Sequence, residues 1–87
     1  MHAMIVGLTI KDLDADLEAL RGQVVPAMSK TPGFVTGFWT RKGDTGLSMV
    51  VFDSEEAASA AAEQLRSTTP DVATVDALEV REVVAHA

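Results

Sequence analysis

Apolar residues run almost unbroken from Ala3 to Ile10 in "AMIVGLTI" and stop at the charged "KDLD", a β-branched pattern that predicts a strand buried over most of its length. The period then changes. Leu13, Leu17, Leu20, Val24 and Met28 recur at helical spacing, with Asp12, Asp14 and Asp16 near the positive end of the helix dipole, so a first helix follows. Pro26 interrupts it, because its ring crowds the carbonyl four residues back and it donates no hydrogen bond. That carbonyl belongs to Gly22, whose backbone can absorb distortion, and a kink or a helix end is expected near Val25. Pro32-Gly33 marks a turn, Phe34 to Arg41 a second strand, "KGDTG" a tight connection, and Leu47 to Phe52 a third strand paired with the second. In "DSEEAASAAAEQLRS", Asp53 or Ser54 caps a second helix that reaches about Arg66, with Glu55 and Glu56 in its first turn. Its inner positions, Ala58, Ala61, Ala62 and Leu65, are mostly small, which lets it lie close on a sheet. "TTPDVATVD" reads as a loop and Ala77 to Ala85 as the last strand.

The order βαββαβ is the ferredoxin-like arrangement of the α+β class: one domain over residues 1–87, with an antiparallel four-stranded sheet in the order 4-1-3-2 and both helices on one face. A hairpin turn at Gly43 and Asp44 places Trp39 opposite Ser48, Gly37 opposite Val50 and Val35 opposite Phe52 on one side. Phe34, Phe38, Met49 and Val51 then lie on the other. The third strand is apolar on both sides, and helices cover only one of them. Leaving its Val, Phe and Trp side chains in water would forgo about 1.5 to 3 kcal/mol each. The second face is therefore expected to meet another sheet, most simply its own copy in a twofold homodimer.

Composition narrows the partners. Thirteen acidic residues against seven basic ones give a net charge of -6 without any Lys or Arg run, which argues against nucleic acid and anionic membrane surfaces. No apolar stretch approaches the roughly 18 to 20 residues that span a bilayer, and the first residues lack the pattern of a signal peptide, so the expected location is the cytoplasm. With no Cys, neither disulfides nor thiolate metal sites can staple so small a core, and oligomerisation is the remaining route.

The segments "VVPAMSKTPGFVTGFWT", "GLSMVVFDSEEAASAAAEQLR" and "LEVREVVAHA" together resemble the small antibiotic biosynthesis monooxygenase-type proteins of the dimeric α+β barrel group. The resemblance spans nearly the whole chain and rests on proline, glycine and apolar positions. It implies a ferredoxin-like protomer, a homodimer whose two sheets close into a barrel, and in some members a pocket for an aromatic polyketide, a quinone-like compound or haem. For cofactor-free members it implies oxidation through a substrate anion that meets dioxygen, so no cofactor is called for. The chain contains neither Asn nor Tyr, which removes the commonest polar groups of such pockets, and no catalytic residue transfers by position.

Within the residues themselves, Trp39 can stack on a flat ligand and Arg41, two positions on, can pair with an enolate or carboxylate. The alternative, and the preferred reading, is that Trp39 anchors the dimer sheet and Arg41 is solvated. Ser48 faces the same side, with no G-x-S-x-G around it to make it a nucleophile. Glu79 and Arg81 share a face of the last strand, while Glu82 falls with Leu78 and Val80 unless a bulge near Arg81 shifts the phase. One of these carboxylates could serve as a base in a pocket, but charges that protect a sheet edge are the preferred reading. His2 and His86 are brought together by the strand order, yet two imidazoles at chain ends do not make a selective metal site. Two functions follow: a cofactor-independent monooxygenase acting on a small aromatic or polyketide-like compound between sheet and helices, or a ligand-binding or structural homodimer without turnover.

Overall fold

The computed structural model describes residues 1–67 and 73–87, and its strands β1 (His2–Ile10), β2 (Phe34–Lys42), β3 (Thr45–Phe52) and β4 (Ala73–Glu82) form one antiparallel sheet. The strand order is β2-β3-β1-β4, which is 4-1-3-2 read from the other edge. Between β1 and β2 the chain forms α1 (Leu13–Ala19), a π-helical segment (Leu20–Val24) and α2 (Val25–Ser29), and α3 (Glu55–Arg66) follows β3. This is the ferredoxin-like α+β fold that the pattern predicts.

Local chemistry sets the boundaries. The Asp12 side chain accepts from the Ala15 N–H at 3.0 Å to start α1, and the Ser54 hydroxyl accepts from the Ala57 N–H at 3.2 Å to start α3, caps worth about 1 kcal/mol each. Pro26 does not end the helix near Val25. The Val25 N–H instead reaches back to the Leu20 carbonyl, and this wider π turn carries the helix past the point where Pro26 has no N–H to offer Gly22. Gly43 opens the β2–β3 turn at a φ of 62°, beside an Asp44 of ordinary φ, as a two-residue hairpin requires of glycine in its first position. Gly33 is more constrained. Its φ is 85°, and a Cβ there would stand 2.7 Å from the Asp53 carboxylate and 2.8 Å from the Ala57 Cβ, while its carbonyl accepts the Asp53 N–H at 2.8 Å. A bare glycine thus locks the entry of β2 against the β3–α3 junction.

Two expectations about the strands change. Val35 is an extra residue on β2, so Phe34 rather than Val35 sits opposite Phe52; Phe34 moves to the helix-covered face and meets the Phe52 ring edge-on at 6.4 Å. β4 begins at Ala73 and ends at Glu82, four residues early and three short of the expected strand. Of the expected loop, residues 68–72 lie outside the described residues, and Thr74 and Val75 pair with Thr9 and Leu8 beyond a register shift at Asp76, whose carboxylate accepts from the Thr9 hydroxyl. No register shift occurs near Arg81, and Glu82 pairs with His2.

The core lies between the sheet and α3. Met4, Val6, Val50 and Phe52 pack on Ala58, Ala61 and Ala62, and Phe52, Ala58 and Ala62 expose no surface at all. Methyl side chains let α3 approach β1, β3 and β4 closely, whereas α1 makes few close approaches to any strand and leaves Leu13 exposed. Among the described residues the opposite face of the sheet bears no helix. Phe38, Leu47 and Met49 stand on it, 61%, 54% and 43% exposed, and Met49 and Phe38 are cross-strand partners.

Candidate functional site

Where α1 stands off the sheet, a partly enclosed cavity of about 310 Å³ remains between α1, the π segment and strands β1, β2 and β3. Leu8 and Ile10 of β1, Leu17 of α1 and Leu20 of the π segment supply its apolar wall. Trp39, Arg41 and Ser48 supply three of its polar groups, brought together because β2 and β3 pair Trp39 with Ser48 and place Arg41 two residues along the same face. Glu79 and Arg81 are not with them. They lie on the open face of the sheet, where Arg81 donates to Glu79 at 2.8 Å.

Trp39 thus lies on the helix-covered face, not on the open face where the anchor reading would put it, and Phe38 stands on the open one. The reason is Gly37. The indole folds back along its own strand, and a Cβ on Gly37 would stand 2.7 Å from one ring carbon and 2.9 Å from another. Only a hydrogen leaves room for the ring to lie flat there, packed against the core at one edge and facing the cavity at the other. Arg41 extends along the cavity mouth and donates to the Leu13 carbonyl of α1 at 3.2 Å, tying the first helix to the strand edge.

Asp16 is the cavity residue that sequence reasoning missed as a site. It is 7% exposed and lines the cavity, and among the described residues none donates a hydrogen bond to its carboxylate. Burial pushes the Asp16 carboxyl above its ordinary value of 3.8, and the positive charge of Arg41 pulls it partly back. A signal was present in the sequence: Asp16 sits three residues after Leu13 and four before Leu20, within the apolar stripe rather than opposite it. Ser48, 6% exposed, likewise makes no side-chain hydrogen bond among the described residues. Buried polar groups without protein partners, turned toward a cavity, are what a site for a polar ligand presents.

The two histidines separate. His2 approaches the Glu55 carboxylate at 3.2 Å through Nε2, with Nδ1 buried and unpartnered, while His86 lies beyond the end of β4. Among the described residues no group of three or more His, Asp or Glu side chains is placed to hold a metal ion. The cavity lining offers no imidazole, thioether or phenolate, the usual protein ligands of haem iron, so its donors do not fit a haem held through its metal.

In solved structures the same architecture recurs. MupZ from Pseudomonas fluorescens superposes with a TM-score of 0.74 at 18% identity, over 91% of this chain and 69% of that one. SnoaB from Streptomyces nogalater, a cofactor-independent oxygenase solved as a point mutant, gives 0.67 at 17% identity, over 98% and 95% of the two chains. MhuD from Mycobacterium tuberculosis, a heme-degrader solved with two hemes in its active site, gives 0.64 at 21%, over 100% and 99%. The chain has the fold of the antibiotic biosynthesis monooxygenase-type proteins. At these identities the likeness is one of fold. No protein-family model matches the chain, and no curated protein matches it in sequence.

In the window above 3.8 the unfolded Asp16 carboxyl ionises while the folded one still resists, so the folded chain binds more proton and stability falls as pH rises. Asp16→Asn is expected to raise the melting temperature at neutral pH, with the gain shrinking to nothing as pH falls below 3.8. Thermal unfolding of both proteins across pH checks this; a gain that does not depend on pH, or a loss at neutral pH, would contradict it.

Proposed function

We propose that the cavity binds a small, flat aromatic or polyketide-like compound bearing an acidic hydroxyl, and that the protein acts on it as a cofactor-independent monooxygenase. The observation that carries this reading is the convergence of a flat indole, a guanidinium and two unpartnered buried polar groups on one cavity of about 310 Å³. The Trp39 ring offers a stacking surface, and Arg41 offers a charge-assisted partner for the ligand's oxygen anion. A ligand anion so held is electron-rich at the ring carbons, and it is this anion that reduces dioxygen. In the overall change a ring CH2 of the ligand's keto tautomer becomes a carbonyl, one oxygen atom of dioxygen enters the product and the other leaves as water. The fold-sharing SnoaB, a cofactor-independent oxygenase, makes this chemistry a reasonable expectation for the fold.

The test is oxygen consumption with a panel of hydroquinones and hydroxynaphthalenes. Arg41→Ala and Trp39→Phe should each lower kcat/KM about tenfold or more, equivalent to roughly 1.4 kcal/mol of transition-state stabilisation. Equal background rates in all three proteins would defeat catalysis, and if the compounds still quench the single Trp, ligand binding without turnover would be the correct reading.

The open face supports a second part of the proposal, a twofold homodimer. Phe38, Leu47 and Met49 form an exposed apolar patch beside Ile5 and Val51, with Glu79 and Arg81 at its β4 edge. The chain exposes 5713 Å², against about 4,900 Å² for a typical monomer of its 9.2 kDa mass. The chain is more exposed than its mass requires, as a protomer with an uncovered apolar face would be. Sedimentation equilibrium at micromolar concentration should give twice the chain mass, and Phe38→Glu should shift it toward the monomer. A wild-type species at 9.2 kDa alone would refute the dimer.

A further inference from the structure

Among the described residues Asp16 is the only acidic side chain in the cavity lining, and beyond its place in the first turn of α1 no hydrogen bond from a described residue holds it there. It caps no helix, since Asp12 does that, and its burial costs stability because no donor among the described residues compensates the lost water. The strands facing it contribute Leu8, Ile10, Gly46 and Ser48, none of them charged, and the one charged group opposite is Arg41 of β2. Asp12 and Asp14 of the same turn are exposed. A carboxylate withdrawn from water takes up a proton more readily than an exposed one, and a cation across the cavity is placed to hold what the proton leaves behind.

We propose that Asp16 is the general base of the site, taking the hydroxyl proton of the bound ligand while Arg41 receives the resulting oxygen anion. The inference rests on the ligand-binding reading above and deepens it. In the step, the ligand O–H bond breaks, the proton moves to an Asp16 carboxylate oxygen, and the electron pair stays on the ligand oxygen beside the guanidinium. No charge is created in the cavity: one carboxylate is neutralised as one oxyanion forms. The site should therefore favour compounds that arrive as neutral phenols or enols over permanent anions, which would meet the Asp16 carboxylate still charged.

A probe with distinct neutral and anionic spectra tests this without turnover. 4-Nitrophenol is titrated into the protein in buffer acidic enough that the free probe is the neutral phenol, with occupancy followed by Trp39 fluorescence. The wild-type protein should show the phenolate band growing with occupancy. Asp16→Asn, which keeps size and shape, should quench to the same extent yet lose the band, and Asp16→Ser should behave alike if the Asn variant folds poorly. Quenching with an unchanged phenolate band in both variants, or with a neutral phenol in the wild type, overturns Asp16 as base and leaves the ligand site standing. If no protein shows quenching with the probe or with the wider phenol panel, the ligand-site reading fails and this inference with it.

Discussion

The Trp39 indole lies back along β2 over Gly37, in space that a single methyl group would fill, and the architecture of the helix-covered face depends on that placement. Across β3 and β1 the sheet meets α3 through alanines, so helix and strands close to contact and make the core. Beneath α1 the sheet presents a flat ring, a serine and a glycine beside Leu8 and Ile10, while the helical segments present Leu17, Leu20 and a carboxylate. These surfaces do not interdigitate, and Arg41 bridges to Leu13 at the edge. The result is one tightly packed half and one hollow half under the same pair of helices.

The hollow half holds the candidate site, and a buried carboxylate there comes at a cost to stability. A carboxylate in the apolar stripe of α1 gives up packing and hydration together, which is the kind of local inconsistency that marks functional sites in otherwise consistent sequences. The tight half offsets this only in part, since its buried cluster is built largely on alanines and four larger side chains. The apolar open face and the hollow helix face belong together: a chain that keeps a cavity under α1 buries little there, and Phe38, Leu47 and Met49 stand exposed on the other side.

Much of the fold was legible in the sequence, because each element carried its own signature. The β-branched run of β1, the Ser54 cap with its two glutamates and the Gly43-Asp44 turn lie where pattern placed them, and the turn alone fixed Trp39 against Ser48. What escaped were features that depend on one residue's accommodation by its neighbours. The extra residue at Val35 leaves no trace in an alternating pattern, yet it moved Phe34 to the helix-covered face and left Val35 unpaired and exposed. Asp76 made the start of β4 look like loop, although Thr74 and Val75 on its far side are good strand formers. At the site, pairing arithmetic grouped Trp39, Arg41 and Ser48, but it could not say that the helices lie on their side. Asp16 was hidden by a sufficient simpler explanation, an acid near the positive end of a helix.

The central claim is that ligands enter beneath α1, on the face of the sheet opposite Phe38. Titrating 1-naphthol into isotope-labelled protein and mapping the nuclear magnetic resonance shifts tests it most directly. The Trp39 indole N–H and the signals of Leu17, Gly46 and Ser48 should move together and saturate, while Leu47 and Met49 stay fixed. Shifts confined to Phe38, Leu47 and Met49 would place the ligand on the open face and contradict the account.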